Sequence, residues 1–292
     1  MLKLTNPIGV IVDSFRMGVR GGLLKAKELG AQGVQMYAVH GEMDPDHLDA
    51  AARKELRQYV ASLNLSISAL VGDLAGHGFQ SREENIWKIE KSKRILDLAI
   101  DLGTNVVTTH IGIVPEDTSS ETYSVMQAAC DELGRYASER GAFFAIETGP
   151  ETSARLKGFL ETMSTKGVSV NFDPANLVMV TGDDPVQGVY LLRDYIVHTH
   201  AKDGIRLRET DSRNIYGAPG YEPMSHEDLA VQGESGEYFR EVPLGEGSVD
   251  WPAYLQALQD IGYQGFLTIE REVGERPEED IAKAIQFLER FQ

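Results

Sequence analysis

The strongest constraint on how this chain can fold is an alternation repeated eight times. Short apolar runs rich in β-branched and aromatic residues recur at Ile8–Asp13, Gly33–Val39, Ser66–Val71, Asn105–His110, Ala142–Glu147, Val168–Asp173, Ile196–Ala201 and Gly265–Glu270, with longer stretches of helical periodicity between them. Such runs read as strands covered on both faces, the kind that parallel sheets use. Parallel neighbours need a crossover connection, usually a helix. Eight β/α units therefore predict an α/β chain folded as one (β/α)8 barrel, a single domain over residues 1–292. A doubly wound sheet is the alternative. It carries a GxGxxG phosphate turn after its first strand, and VDSFRMGVRGG does not match that pattern.

The helical stretches carry their own punctuation. Ser81-Arg82-Glu83-Glu84 reads as a capping box, opening a helix with Ile86, Ile89, Ile95, Leu96 and Ala99 on one face. Met126, Ala129, Cys130, Leu133 and Ala137 make a second stripe. Leu29-Gly30, Leu102-Gly103 and Ile261-Gly262 read as helix stops. Pro277 suits a first turn, after which Ile281, Ile285 and Leu288 face inward. Trp87 and Trp251 fall in helical patterns and read as packing residues.

Four of the apolar runs carry a charged or titratable group near their ends: Glu147 in AFFAIETG, Asp173 in VSVNFDPAN, His200 in IVHTHAKD and Glu270 in GFLTIERE. A charge on a buried strand is costly unless it is paired or bound to a metal. In a barrel, catalytic groups sit at the C-terminal strand ends, and the strand period of two decides which side chains share the interior. Phe143, Ala145 and Glu147 alternate inward, as do Ser169, Asn171 and Asp173, and Phe266, Thr268 and Glu270. Three carboxylates thus converge on one mouth. His198 and His200 share a face; His200, nearer the mouth, is the expected ligand, and His198 supports it or packs the core. Three carboxylates and an imidazole suit one divalent cation, Mn²⁺ or Mg²⁺, with Co²⁺ or Zn²⁺ as alternatives. The competing reading pairs the acids with Lys202, Arg206 or Arg271.

A formal charge of -17 over 292 residues argues against nucleic acid as a partner and favours a small molecule. No apolar run approaches the roughly 18 to 20 residues of a membrane span. The start MLKLTNPIGVIVDSF runs toward a strand without a signal-peptide pattern, so no membrane partner and a cytoplasmic setting are expected. Cys130, the one cysteine, sits at helical spacing and reads as a core thiol. The long irregular stretch from about Asp203 to Ser248, with Tyr216, Tyr221 and Tyr238, is expected to cover the mouth or to reach a neighbouring subunit of a homodimer or homotetramer.

IET in the fifth run, NFDPAN in the sixth, HTHAKD in the seventh, IERE in the eighth, and the segment PLGEGSVDW together resemble the xylose isomerase-like TIM barrel family. This family holds sugar and sugar phosphate isomerases and epimerases, ketose 3-epimerases, inosose dehydratases and, more distantly, endonuclease IV. The resemblance spans nearly the whole chain. It implies Glu147, Asp173, His200 and Glu270 as metal ligands, with Glu147 and Glu270 also the acid–base pair, as in the ketose 3-epimerase branch. The implied activity is a divalent-metal-dependent isomerase or epimerase of a sugar or sugar phosphate, working by proton transfer through an ene-diolate. An inosose-type dehydratase with the same site is the second expectation. Endonuclease IV-like repair fits poorly with seven histidines and the acidic charge, and a barrel serving only to bind or assemble is the fourth.

Further residues are expected near the substrate. His110 ends the fourth run, in reach of substrate or Glu147 unless it is a satisfied barrel histidine. Asn176 touches sugar hydroxyls or caps a turn; Lys202 orients substrate or neutralises the acids; His77 lies on the rim; Glu246 reaches the mouth or serves a turn. Arg271 should point away from the interior into a salt bridge. Ketose 3-epimerases carry another glutamate six positions after the strand-five ligand; here Ser153 stands there and Glu151 is the nearest acid. After the seventh run this chain reads HAKDG, with Arg206 and Arg208 slightly later.

Overall fold

A computed structural model describes residues 3–292; Met1 and Leu2, the start of the N-terminal stretch, lie outside the described residues. Ten strands follow in chain order: β1 (Ile8–Ile11), β2 (Gly33–Tyr37), β3 (Ser66–Val71), β4 (Val106–Thr109), β5 (Phe143–Glu147), β6 (Val168–Phe172), β7 (Ile196–Ala201), β8 (Asp203–Arg206), β9 (Phe239–Val242) and β10 (Leu267–Ile269). Eight of them close a parallel barrel in the order β1-β10-β7-β6-β5-β4-β3-β2, while β8 and β9 form a separate antiparallel ribbon. Helices fill the connections, so the chain is a (β/α)8 barrel. Strand register stacks the interior in layers. Asn171 sits beside His198, and Thr268 beside His200. At the opposite end Phe266 fills the space that glycine leaves on β2: a Cβ on Gly33 would lie 2.2 Å from its ring.

The helices follow the sequence punctuation with one instructive exception. Gly30, Gly103 and Gly262 take left-handed φ at helix ends, Pro277 opens the last helix and the stripe from Met126 to Ala137 is buried. In the helix Arg82–Leu102, Ser81 accepts from Glu84 N at 3.3 Å, but the Glu84 carboxylate turns to Lys88 at 2.8 Å instead of completing a capping box. Lys88 is buried, its ammonium held by the carbonyls of Ala75 and Gly78. The inward face therefore runs through Lys88, Ser92, Ile95, Leu96 and Ala99. Ile86 is 73% exposed and Trp87 half-exposed, so neither packs the core as their spacing predicts. Periodicity alone cannot show that a lysine, held by loop carbonyls, takes the buried position.

The stretch 203–248 is more ordered than its composition predicts. It holds the β8–β9 ribbon and two helices, Arg213–Tyr216 and His226–Ser235. Ile215 and Phe239 pack with Ala175, Met179 and Val180 in a small core of their own. Its base is fixed by Asp203, a buried acceptor for Gly204 N, Gly245 N, Gly247 N, Val249 N and Trp251 Nε1 at 2.9–3.2 Å. One carboxylate thus ties HTHAKD to PLGEGSVDW. A Cβ on Gly247 would stand 2.0 Å from Asp203 Oδ1, which explains the glycine. Among the described residues no helix is long and apolar enough to cross a membrane.

Replacing Asp203 with Ala strands several buried N–H groups at once, each costing about 1–3 kcal/mol. The expected loss is on the order of 3 kcal/mol or more, lowering the melting temperature by roughly 6–12 °C. Thermal unfolding of D203A followed by circular dichroism checks this, and a shift below about 2 °C would refute the anchor.

Candidate functional site

The rims of β5, β6, β7 and β10 bring Glu147, Asp173, His200 and Glu270 into one buried group, whose donor atoms all lie within 4.8 Å of one another. His200 Nδ1 is 3.2 Å from Glu270 Oε2, 3.5 Å from Glu147 Oε1 and 3.7 Å from Asp173 Oδ2. Burial alone would strip the imidazole of charge, but Glu270 and Glu147 outweigh it and hold His200 well above its ordinary range. Positive charge is what these carboxylates lack. Asp173 Oδ1 caps the following turn, accepting from Ala175 N at 2.7 Å and Asn176 N at 3.0 Å. Its other oxygen, Oδ2, is buried with no hydrogen-bond partner among the described residues. A bare buried carboxylate oxygen is expensive. With three hard oxygen donors and one imidazole around it, the group fits a divalent cation.

Neighbouring residues orient this group. Gln35 is buried on β2; its amide donates to Thr108 Oγ1 at 2.8 Å, which turns Oε1 toward His200 Nε2 at 3.0 Å. Nε2–H thus points at Gln35 and Nδ1 is the nitrogen turned to the carboxylates, where it holds a proton while no cation is bound and would give it up to serve as a metal ligand. The Asn171 amide lies 3.2 and 3.4 Å from the two ring nitrogens, near-equidistant and so in line with neither. It donates instead to Glu147 Oε2 at 3.1 Å, while Asn171 Oδ1 faces His198 Nδ1 at 2.9 Å and His198 Nε2 meets Thr268 Oγ1 at 3.1 Å. Asn176 donates to Glu147 Oε1 at 3.0 Å. Glu147 is thus held by two neutral amides.

Glu270 is held differently. Lys202 Nζ donates to its Oε2 at 3.1 Å, also contacts Glu272, and stands 3.9 Å from Glu241 Oε2 on β9. Burial works against charge on Glu270, but His200 and Lys202 keep its carboxyl below the usual range. Burial pushes Glu241 up to about 7 against the pull of Lys202. Arg271 points away from the barrel interior, bridging Glu241 at 2.7 Å and Asp280 at 3.0 Å. Arg206 donates to the Thr181 carbonyl at 3.3 Å. Of the cations weighed against a metal, Lys202 alone reaches one of the four ligand residues among the described contacts.

His110 follows β4. Its Nδ1 lies 3.0 Å from Asp73 Oδ2 and its Nε2 3.9 Å from Glu147 Oε1, under the Tyr216 ring at 5.3 Å between centroids. Burial disfavours its charge, yet Glu147 and Asp73 raise it to about 9. His77 is elsewhere on the rim, donating from Nε2 to the Tyr221 carbonyl at 2.9 Å. Glu246 is exposed on the turn that Asp203 holds, its N–H bonded to Pro243 O at 3.0 Å. Of the residues expected near the substrate, His110, Asn176 and Lys202 thus adjoin the four-residue group. Glu151 is buried in the loop after β5. Its Oε2 accepts from Val114 N at 2.9 Å and its Oε1 has no partner among the described residues, so burial pushes it up to about 7.

Gln35, Asp73, Glu241 and Glu272 were not legible as site residues. Gln35 had a signal, a polar residue at inward parity in an apolar run. Glu241 had none, because it arrives on the ribbon from outside the barrel.

The sequence model described as xylose isomerase-like TIM barrel matches residues 23–291. The chain belongs to that family. An inosose dehydratase from Lacticaseibacillus casei is 29% identical over 177 residues, 59% of this chain and 52% of the relative; the chain spans about half the length of the curated relatives it matches first. The crystal structure of a xylose isomerase domain protein from Planctomyces limnophilus superposes with a TM-score of 0.77 at 26% identity, covering 98% of this chain and 96% of that one. The D-allulose 3-epimerase from Methylomonas sp., in complex with D-allulose, shares the fold with a TM-score of 0.69 at 17% identity, covering 100% and 99%.

Two predictions follow from this geometry. Gln35→Leu removes the acceptor that fixes the His200 tautomer, and Mn²⁺ affinity measured by calorimetry is expected to fall about 10–100-fold; an unchanged affinity would show that Gln35 does not orient the ligand. Glu151 binds its proton more tightly folded than unfolded, so its contribution to stability declines as pH rises from the ordinary carboxyl range through about 7. Glu151→Gln should therefore gain on the parent by a few kcal/mol between about pH 5 and pH 8 in urea unfolding. A difference that is flat across that interval would overturn the assignment.

Proposed function

We propose that this chain is a divalent-cation-dependent enzyme that moves a proton beside the carbonyl of a polyhydroxylated ketone, as an isomerase or epimerase of a sugar or sugar phosphate. The observation that carries the reading is the unequal support of two glutamates flanking one cation site. Glu147 is held by the amides of Asn171 and Asn176, whereas Glu270 is held by the ammonium of Lys202. The two come from β5 and β10, with β6 and β7 between them in the barrel, so they address a substrate from different sides.

Glu147, Asp173, His200 and Glu270 would hold the cation, Mn²⁺ or Mg²⁺ in preference to Co²⁺ or Zn²⁺ because three of four donors are carboxylate oxygens. When bound, such an ion polarises a carbonyl and steadies negative charge on neighbouring oxygens. Glu147 then removes the proton beside the carbonyl, and Glu270 returns one to the opposite face or to the adjoining carbon. Residues 203–248 cover the mouth, with Tyr216 over His110, and residues 1–292 act as one domain. A second reading, inosose-type dehydration at the same site, is favoured by the match to an inosose dehydratase.

Deuterium incorporation is the direct test. The Mg²⁺-loaded protein is incubated in D₂O with free and phosphorylated ketoses and an inosose, and label is sought by NMR at the carbon beside the carbonyl. Glu147→Gln and Glu270→Gln should each lower turnover by roughly 10²–10⁴-fold. Full turnover in both variants would sink the two-glutamate mechanism.

A further inference from the structure

The proposed function leaves open whether the substrate carries a phosphate, and the loops after β7 and β10 bear on that choice. A (β/α)8 barrel that binds a phosphate commonly holds it with the loops after its last two strands and the N-terminus of a helix beside them, where backbone N–H groups point at the anion. Here many of those N–H groups are taken by the protein's own carboxylates. After β7, the buried Asp203 accepts from the N–H groups of Gly204, Gly245, Gly247 and Val249 and from Trp251 Nε1, all at 2.9–3.2 Å. The glycine-rich turn Gly245-Glu246-Gly247 has the donors of an anion-binding nest, and the anion it holds is an aspartate. After β10, Glu272 N donates to Glu241 Oε1 at 3.1 Å and Gly274 N to Glu234 Oε1 at 3.2 Å. The helices that follow meet carboxylates as well. Asp250 caps the helix Trp251–Asp260, accepting from Ala253 N at 3.2 Å. The helix Pro277–Glu289 opens on a proline, which has no N–H, and carries Glu278, Glu279 and Asp280 in its first turn.

The cations of these loops are committed too. Lys202 lies among Glu270 at 3.1 Å, Glu241 at 3.9 Å and Glu272. Arg271 is held between Glu241 and Asp280. Arg16, from the loop after β1, donates to the carbonyls of Glu272 and Gly274 at 2.9 and 3.1 Å. The groups left over beside the cation site are acceptors or neutral. Glu272 keeps half of its side chain exposed, and Tyr216 brings a phenol hydroxyl to the loop after β5, where a Cβ on Gly149 would lie 3.0 Å from it. A substrate hydroxyl can donate to such a carboxylate and trade hydrogen bonds with a phenol. A phosphate dianion can only accept, and a carboxylate repels it.

We infer that this site takes an uncharged polyhydroxy ketone, acyclic or cyclic, and excludes phosphate esters, because Asp203, Glu234 and Glu241 fill the positions at which the barrel rim would hold a phosphate. This rests on the carbohydrate chemistry proposed above and narrows its substrate class.

The test compares each ketose with its own phosphate ester. Full-length protein, with Mg²⁺ in excess of every phosphate, is incubated in D₂O with D-fructose, D-ribulose and D-xylulose and with the monophosphate of each, and kcat/KM for label beside the carbonyl is read by NMR. Calorimetry with the same pairs, and with myo-inositol and its 1-phosphate, reads binding without turnover. The uncharged member should lead its ester by more than about tenfold in both measurements. Raising NaCl from about 0.05 to 0.5 M should narrow that lead severalfold, since the exclusion is one of charge. An ester within about tenfold of its free sugar, in exchange or in binding, would overturn the inference and leave the proposed function standing. A lead that salt does not touch would be one of size and would overturn it too. Uncharged members that bind ahead of their esters without any exchange would strike down the proposed chemistry and uphold the substrate class. Neither binding nor exchange by any uncharged member would overturn the inference.

Discussion

Three carboxylates share a buried space in which every donor atom is within 4.8 Å of the others, and the structure around them is shaped by that repulsion. Two like charges about 4 Å apart repel by roughly 4 kcal/mol at an effective dielectric near 20, and each has also lost its water. The protein answers with a different device for each acid. Glu147 receives two amide N–H groups, Glu270 receives an ammonium, and Asp173 spends one oxygen on a turn and leaves the other bare toward the centre. Only the charge that is still missing at the centre is left for a cation. A site satisfied entirely by its own residues would have no use for one.

Much of this was legible, because strand period is a strong signal. A polar residue at inward parity near the end of an apolar run has few places to go except the barrel mouth, and Glu147, Asp173, His200 and Glu270 all arrive there. The same rule applied to Gly33–Tyr37 picks out Gln35, whose amide carries no charge and so drew no notice beside the acids. Helix periodicity was a weaker guide. Ile86 and Lys88 are two positions apart and cannot share a face; which of them turns inward depends on the carbonyls of Ala75 and Gly78, a contact between a loop and a helix that no window of sequence contains.

The stretch 203–248 shows the limit most clearly. Its composition reads as loop, yet Asp203 organises it by collecting five donors, four of them from residues 245–251 and their neighbours far along the chain. Within HTHAKD the residues thus divide their labour. His200 faces the cation site, Lys202 balances Glu270, and Asp203 shapes backbone. Reading the motif as a single functional unit would assign chemistry to a residue whose work is structural.

That division also joins the segment 203–248 to the charge balance of the mouth. Asp203 opens β8, β8 pairs with β9, and β9 delivers Glu241 to within 3.9 Å of Lys202. Arg271, the residue after Glu270, is tied to the same Glu241. The ammonium that steadies Glu270 is therefore itself placed by a ribbon outside the barrel. Tyr216, carried by the same segment, lies against His110, whose Nε2 stands 3.9 Å from Glu147 Oε1. A shift of the ribbon would disturb the surroundings of both glutamates together, so the segment after β7 takes part in setting the electrostatics of the mouth.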